Sequence, residues 1–205
     1  MRNKNSKIKG ISIVFLGPDG SGKSTIISGL LDEKLPFENS YYFHLKPLRK
    51  KNKDINVVVE NPHEFPPYGA LKSYLKLIVF IFQYNLGWFK NIRSLLNKPS
   101  LVIFDRYYDD LLVDFKRYRY GGRLSVANWV SYFIPKATFY FVLTTESEII
   151  HKRKQEVSLL ELNRQILGYE SLVDNDRYIH IDVSKRPEEI VKQLKGILLN
   201  KVYEE

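Results

Sequence analysis

Apolar and polar positions run along this chain in blocks whose period switches between short continuous runs and helical spacing. Ile11 to Leu16 is a mostly apolar run that stops at a glycine, and from Lys23 to Leu35 the apolar residues Ile26, Ile27, Leu30 and Leu31 fall at helical spacing. The predicted order is strand, loop, helix. Tyr41 to Leu45 predicts a second strand, closed by Lys46-Pro47 because a proline biases the residue before it toward extended backbone. The basic, proline-containing stretch from Leu48 to Tyr68 reads as loop with one short strand at Val57 to Val59. Residues 70 to 97 predict a long core helix, with Leu71, Leu75, Ile78, Phe82, Leu86 and Phe89 spaced by three or four. A membrane span is not expected there. Lys72, Lys76, Gln83 and Asn85 leave only Leu77 to Phe82 uninterrupted, against the about 20 apolar residues that a span requires.

Leu101 to Phe104, Thr138 to Leu143 and Tyr178 to Val183 predict three further strands, with helical stretches between them. Strands that alternate with helices imply right-handed βαβ crossovers and a parallel sheet covered on both faces. The expected fold is therefore α/β, a doubly wound five-stranded parallel sheet with helices on both faces. The 205 residues fit one domain, 1–205.

Composition narrows the chemistry. There is no cysteine, which excludes disulfides, thiolate zinc sites and cysteine nucleophiles and fits a reducing, cytoplasmic setting. The basic start, Met1 to Lys9, precedes only six residues of apolar run, too few for the core of a signal peptide. The net charge of +9 suits an anionic ligand, a nucleic acid or an acidic membrane surface. Much of it comes from scattered lysines, Lys4, Lys7, Lys9, Lys50, Lys51 and Lys53, and no nucleic-acid-binding motif is present. Nucleic acid is therefore not an expected partner, while peripheral membrane contact and a homodimer stay open. His44, His63, His151 and His180 show no metal-ligand spacing.

Gly17-Pro18-Asp19-Gly20-Ser21-Gly22-Lys23-Ser24 matches G-x-x-x-x-G-K-[ST] between a strand and a helix. In that setting the unpaired N–H groups of the helix start and its dipole face an anion. Gly17, Gly20 and Gly22 let the backbone curl around a phosphate, Lys23 reaches the β and γ phosphates, and the Ser24 hydroxyl is placed to hold magnesium. Ser21 completes the cradle. A second signal is Val102-Ile103-Phe104-Asp105-Arg106, since an acid at the carboxyl end of a strand sits beside the phosphates of a doubly wound sheet. Asp105 is the second magnesium candidate. Many P-loop ATPases follow this aspartate with another acid that activates water, whereas position 106 is arginine, which fits a phosphotransferase better than a hydrolase. The nearest matches to the guanine signature N-K-x-D, at Asn52 and Asn97, lack its aspartate, which disfavours a GTPase switch.

The loop through Thr25, together with Asp105-Arg106-Tyr107, resembles the thymidylate kinases, whose loop reads D-G-x-G-K-[ST]-T and whose second signature is D-R-Y. The resemblance spans nearly the whole chain and implies MgATP as donor and deoxythymidine monophosphate as acceptor. It implies donor-phosphate and magnesium roles for Lys23, Ser24 and Thr25, and a place at the phosphate junction for Asp105 and Arg106. Asp19 matches the acidic loop residue near the acceptor. The segment 146–168 corresponds to the lid, with Arg153 and Arg164 as its catalytic arginines, and Asp182-Val183-Ser184 to the adenine-side loop.

The acceptor side departs from that pattern. Where thymidylate kinases carry R-E-P-G after the second strand, this chain has His44-Leu45-Lys46-Pro47. Lys46 is a point charge without the bidentate fork of arginine. After Tyr107 the chain runs through Asp109, Asp110 and Asp114 to Arg117-Tyr118-Arg119-Tyr120-Gly121-Gly122, an anion-binding loop with rings available for a base or sugar. The acceptor candidates are accordingly Asp19, Lys46, Arg106, Tyr107, Arg117 and Arg119, with Asn61-Pro62-His63 as a further candidate lining. The branch resembled is a divergent one, and three functions remain: a nucleoside-monophosphate kinase, a kinase for a sugar or envelope-glycan hydroxyl with Asp19, Asp109 or Asp110 as base, and a non-catalytic nucleotide-binding regulator.

Overall fold

β-branched and aromatic residues dominate five short runs, and these form the strands β1 (Ile11–Leu16), β2 (Asn39–His44), β3 (Ser100–Asp105), β4 (Phe139–Thr144) and β5 (Tyr178–Asp182). The computed structural model describes residues 9–47, 65–173 and 177–204. The expected strand at Val57 to Val59 and the segment Asn61-Pro62-His63 lie outside the described residues. All pairings are parallel, in the order β2-β3-β1-β4-β5. The expected doubly wound α/β architecture is the one observed.

Alternation along each strand builds a core on either face. Ile11, Ile13 and Phe15 of β1 join Leu101, Ile103, Phe141 and Leu143 on one side, packed under α1 (Lys23–Asp32) and α8 (Pro187–Glu204). Val14 and Leu16 join Val102, Phe104, Tyr140 and Val142 on the other. That side is covered by α2 (Ala70–Gly87), α3 (Arg93–Leu96), α4 (Tyr108–Val113), α5 (Leu124–Ser131) and α7 (Leu159–Glu170). A short helix, α6 (Ser147–Arg153), packs Ile150 against Leu162 and Ile166 of α7. Strands buried on both faces lose the polar alternation of a half-exposed sheet and read as nearly continuous apolar runs.

The long helix holds, but the face expected in the core is the wrong one. A π turn at Trp88–Ile92 joins α2 to α3, so helical backbone runs from 70 to 96. Its buried face carries Ser73, Leu77, Phe80, Tyr84 and Gly87, while Leu71 (75% exposed), Phe82 (69%) and Phe89 (66%) lie on the outside with Leu75, Ile78 and Leu86. The helix is apolar around most of its circumference, so spacing alone selects no face. Tyr84 decides it: its ring packs edge-on against Tyr107 and Tyr108, and its hydroxyl donates 2.5 Å to the Leu45 carbonyl. The outer stripe continues onto α5, where Asn85 donates to the Phe133 carbonyl at 2.9 Å and Phe133 packs on Trp129. No helix among the described residues is long and apolar enough to cross a membrane.

Candidate nucleotide site and its buried arginine network

The loop between β1 and α1 lies at the carboxyl edge of the middle strand, where the chain order reverses and a crevice opens in doubly wound sheets. Its shape depends on glycine. Gly17, Gly20 and Gly22 have φ of 142°, 85° and 83°, and a Cβ on Gly17 would come within 2.4 Å of the Leu143 carbonyl oxygen. Lys23 folds back into this ring. Its Nζ donates to the carbonyls of Gly17 (2.7 Å) and Pro18 (2.8 Å), and burial, with the nearby Arg106 charge, lowers its pKa to about 7. A phosphate in the ring would supply the counter-charge that these carbonyls only partly provide.

Ser24 and Thr25 stand exposed on the first turn of α1. Asp105 is registered beside Phe15, one strand from the loop, and its Oδ2 accepts from the Tyr42 hydroxyl at 2.8 Å. Burial and the Asp105 charge raise the Tyr42 pKa, so the phenol stays a donor. Among the described residues no cluster of three or more His, Asp or Glu could hold a metal alone. Ser24 and Asp105 are nonetheless a fitting donor pair for magnesium, which is bound through one or two protein oxygens together with substrate phosphates.

Arg106 is not presented to this crevice as a free cation. It sits in left-handed backbone (φ 68°), is 5% exposed, and its N–H donates to the Phe15 carbonyl at 3.0 Å. Nη1 grips both oxygens of Asp110 (2.7 and 2.8 Å) and Nη2 donates to Asp19. Asp110 is fully buried and also accepts from the hydroxyls of Tyr118 (2.8 Å) and Tyr169 (2.5 Å). Burial disfavours the guanidinium charge, but Asp110 more than offsets this and the pKa rises. The second oxygen of Asp19 accepts from Arg117, whose Nε donates 3.0 Å to Asp114. Burial and the Asp110 charge push Asp114 up to about 7.

This network corrects three expectations. Asp109 and Asp110 are not open bases: both are buried, and Asp109 accepts from the Tyr178 hydroxyl at 2.7 Å. Tyr107 does not line an acceptor site, because its ring is wholly buried against Tyr84 and Phe104 and its hydroxyl donates to the Pro135 carbonyl at 2.9 Å. Arg117 lies on Asp19 rather than with Arg119, which turns outward to Tyr68 and donates to the Pro66 carbonyl at 3.0 Å.

The two arginines of the expected lid separate. Arg153, at the end of α6, donates to the Val183 carbonyl at 3.0 Å and shares with Ser21, Gly22, Thr25 and Lys185 a cleft of 230 Å³ beside the loop. Ser184, at the rim of that loop, turns both its N–H (2.9 Å) and its hydroxyl (2.8 Å) onto the Asp182 carboxylate. Arg164 is directed elsewhere, pairing with Glu161 at 2.7 Å and lying over the Phe115 ring. Lys154 comes nearer: a Cβ on Gly20 would meet its side chain at 3.0 Å, and its Nζ pairs with Glu156 at 2.6 Å. Tyr42, Tyr169 and Glu156 are site residues for which the motif pattern carries no signal, and Tyr118, expected to offer its ring to a ligand, is buried with its hydroxyl on Asp110. Lys46 places its Nζ 4.4 Å from the centre of the Phe80 ring.

A glycine-built phosphate loop at the end of the middle strand of a parallel 2-3-1-4-5 sheet, beside a strand-end Asp-Arg pair, defines the fold of the P-loop nucleoside-monophosphate kinases. No family model matches the chain. Among solved structures it is similar to thymidylate kinase from Candida albicans, with a TM-score of 0.65 and 21% identity over 95% of this chain and 93% of that one. The fold is thus thymidylate-kinase-like.

Proposed function

We propose that this protein is an ATP-dependent kinase of the thymidylate-kinase type, which transfers the γ-phosphoryl group of MgATP to a nucleoside monophosphate, deoxythymidine monophosphate being the first acceptor to test. The observation that carries the reading is Lys23 held inside a ring of three positive-φ glycines with Asp105 one strand away. The loop N–H groups and Lys23 hold the donor phosphates, and Arg153 with the Val183 loop offers the cleft for the base. Ser24 and Asp105 would hold magnesium, which neutralises charge at the β and γ oxygens when bound. Catalysis of this kind is positioning plus electrostatics. An acceptor phosphate oxygen needs no strong base, which suits a site whose aspartates 109 and 110 are buried and bonded.

The test is steady-state ADP release with deoxythymidine monophosphate, the other nucleoside monophosphates, and phosphorylated and free sugars. Turnover confined to a free sugar or glycan hydroxyl would replace the nucleotide reading by the sugar-kinase one, and ATP binding without turnover on any acceptor would leave a nucleotide-binding regulator. Support for a homodimer comes from the outer stripe of α2, an apolar strip about 27 Å long at 1.5 Å per residue. Phe82→Glu with Phe89→Glu is expected to convert a dimer to monomer in sedimentation velocity. Vesicle binding by the native chain, lost in the same variant, would assign the stripe to a membrane instead.

A further inference from the structure

Three consecutive residues after α4 each hold a part of the chain between α6 and the end of α7. Phe115 lies under the Arg164 guanidinium, 4.8 Å from the ring centre, Lys116 donates to Glu161 at 2.7 Å, and Arg117 stands 3.7 Å from Glu156. Arg117 reaches further, because the same Nη2 donates to Asp19 of the phosphate loop. Its direction is fixed from behind. Asp114, buried at the end of α4, accepts the Arg117 backbone N–H at 3.3 Å and its Nε at 3.0 Å. One guanidinium thus meets carboxylates from the end of α4, the phosphate loop and the turn after α6. A planar fork with donors at fixed angles suits such a junction, and the point charge of lysine does not reproduce it. Asp19 is held on its other oxygen by Arg106, so the junction is footed on the buried network.

The turn held in this way is otherwise exposed. Lys154, Gln155 and Glu156 lie on the surface, and Val157 packs against Ile150, Leu162 and Ile166. Even so it presses on the phosphate loop: a Cβ on Gly20 would come within 3.1 Å of the Ile150 carbonyl oxygen and 3.0 Å of the Lys154 side chain. The space left among Asp19, Arg117, Glu156 and α7 is about 10 Å³, room for one water. Arg153 immediately precedes the turn and lines the cleft beside Ser21 and Thr25. Where the turn sits therefore decides where Arg153 points.

We infer that Arg117 is a positioning residue that clamps the turn after α6 onto the phosphate loop and, through that turn, sets Arg153 in the donor cleft. Only the word donor rests on the kinase reading; the clamp between loop and turn stands on its own geometry. The pairs to Asp19 and Glu156 are partly exposed, and such a pair in isolation contributes little. Asp114 changes this by fixing the guanidinium in advance, so that less side-chain freedom is lost when the turn docks.

Hydrogen exchange, read by mass spectrometry on peptides covering 150–158 of the full chain, tests this. Arg117→Ala is expected to speed exchange there by roughly threefold to tenfold and to leave peptides of β1 and β3 unchanged. Glu156→Gln removes the contact from the other side without touching Asp19 or Asp114, and is expected to act on the same peptides in the same direction. Glu156 also pairs with Lys154 at 2.6 Å. The double substitution separates the two pairs, because the share that Glu156 owes to Arg117 is then lost only once and the effects fall short of additive. Arg117→Lys keeps a charge beside Asp19 and is expected to give a smaller acceleration; it takes the place of the alanine variant should that one not fold. MgADP affinity in calorimetry is expected to weaken severalfold in the Arg117 and Glu156 variants alike. Unchanged exchange at 150–158 in the folded Arg117 variants, fully additive effects, or acceleration spread evenly through the sheet overturns the clamp. Faster exchange confined to 150–158 in a chain that binds no MgADP would retain the clamp and remove the kinase reading.

Discussion

The two ends of the crevice are built from different materials. The donor end is eight consecutive residues whose geometry is set by backbone, with three glycines in conformations that other residues rarely adopt and a lysine held by carbonyls of its own loop. The other end is assembled from side chains of separated segments, around Lys46, Tyr68, Lys76 and Arg119, whose cations lie over aromatic rings and, among the described residues, pair with no carboxylate. A backbone cradle binds whatever carries phosphates and tolerates change around it. A side-chain cradle is specific to one ligand and is altered by single substitutions. Between them lies the Arg106–Asp110 network, in which Arg106 is held by Asp110 and Asp19, and Asp110 also accepts from Tyr118 and Tyr169.

Four substitutions or conditions would break or sharpen that contrast. The largest effect is expected from Lys23→Met, which removes the cation inside the phosphate loop while leaving the glycine backbone in place: turnover should fall on the order of a hundredfold or more, with no loss of melting temperature because a desolvated amine is replaced by an apolar side chain. Full turnover in a folded variant would show that the donor end is not a phosphotransfer site. Asp110→Asn comes next. It leaves Arg106 with Asp19 as its remaining carboxylate and is expected to cost about 3 to 5 kcal/mol in urea unfolding; a change below 1 kcal/mol would show that the network is not the joint described.

The third concerns pH. Lys23 has a folded pKa of about 7 against an ordinary 10.5, so between these values the unfolded chain binds more protons. Stability from this residue therefore rises as pH climbs from 7 to 10.5. Phosphate binding requires the charged amine, so nucleotide affinity is expected to fall by up to about tenfold per unit above that pKa, with proton uptake seen as a buffer-dependent binding enthalpy in calorimetry at pH 8.5. Buffer-independent enthalpy would place the lysine proton elsewhere. The smallest effect is expected from Arg164→Ala, whose ion pair to Glu161 is partly exposed: stability should drop by less than about 1 kcal/mol and turnover should stay within a few-fold of native. Arg153→Ala should weaken MgATP binding more. The reverse order would return Arg164 to the donor site.

What could be read from sequence follows from how local each feature is. Strands buried on both faces leave continuous apolar runs, and the observed strands fall within a residue or two of the predicted ones. The phosphate loop is contiguous, so its pattern is complete in the chain. Helix 70–96 is legible as a helix but not in its orientation, because apolar residues occupy most of its circumference and distant contacts, those of Tyr84 and Phe80 with Tyr107, Tyr108 and Tyr118, select the inner face. The role of Arg106 depends on Tyr169, 59 positions beyond Asp110, and no spacing rule links them. Lys76 is a second lysine one turn after Lys72 on a mostly apolar helix. Its meaning required Tyr68, Tyr118 and Arg119 to be in place.

The closed shell of Arg106, Asp110, Tyr118 and Tyr169 bears on how this protein can change over generations. Asp110 is the shared acceptor of the other three, so its replacement unsettles all of them at once, whereas loss of one tyrosine hydroxyl leaves it two partners. The cations around Tyr68 and Phe80 carry no such mutual dependence. Replacing one of them is therefore expected to leave the others, and the core, undisturbed. Variation at the rim of the crevice is therefore expected to leave its phosphate loop and its buried joint untouched.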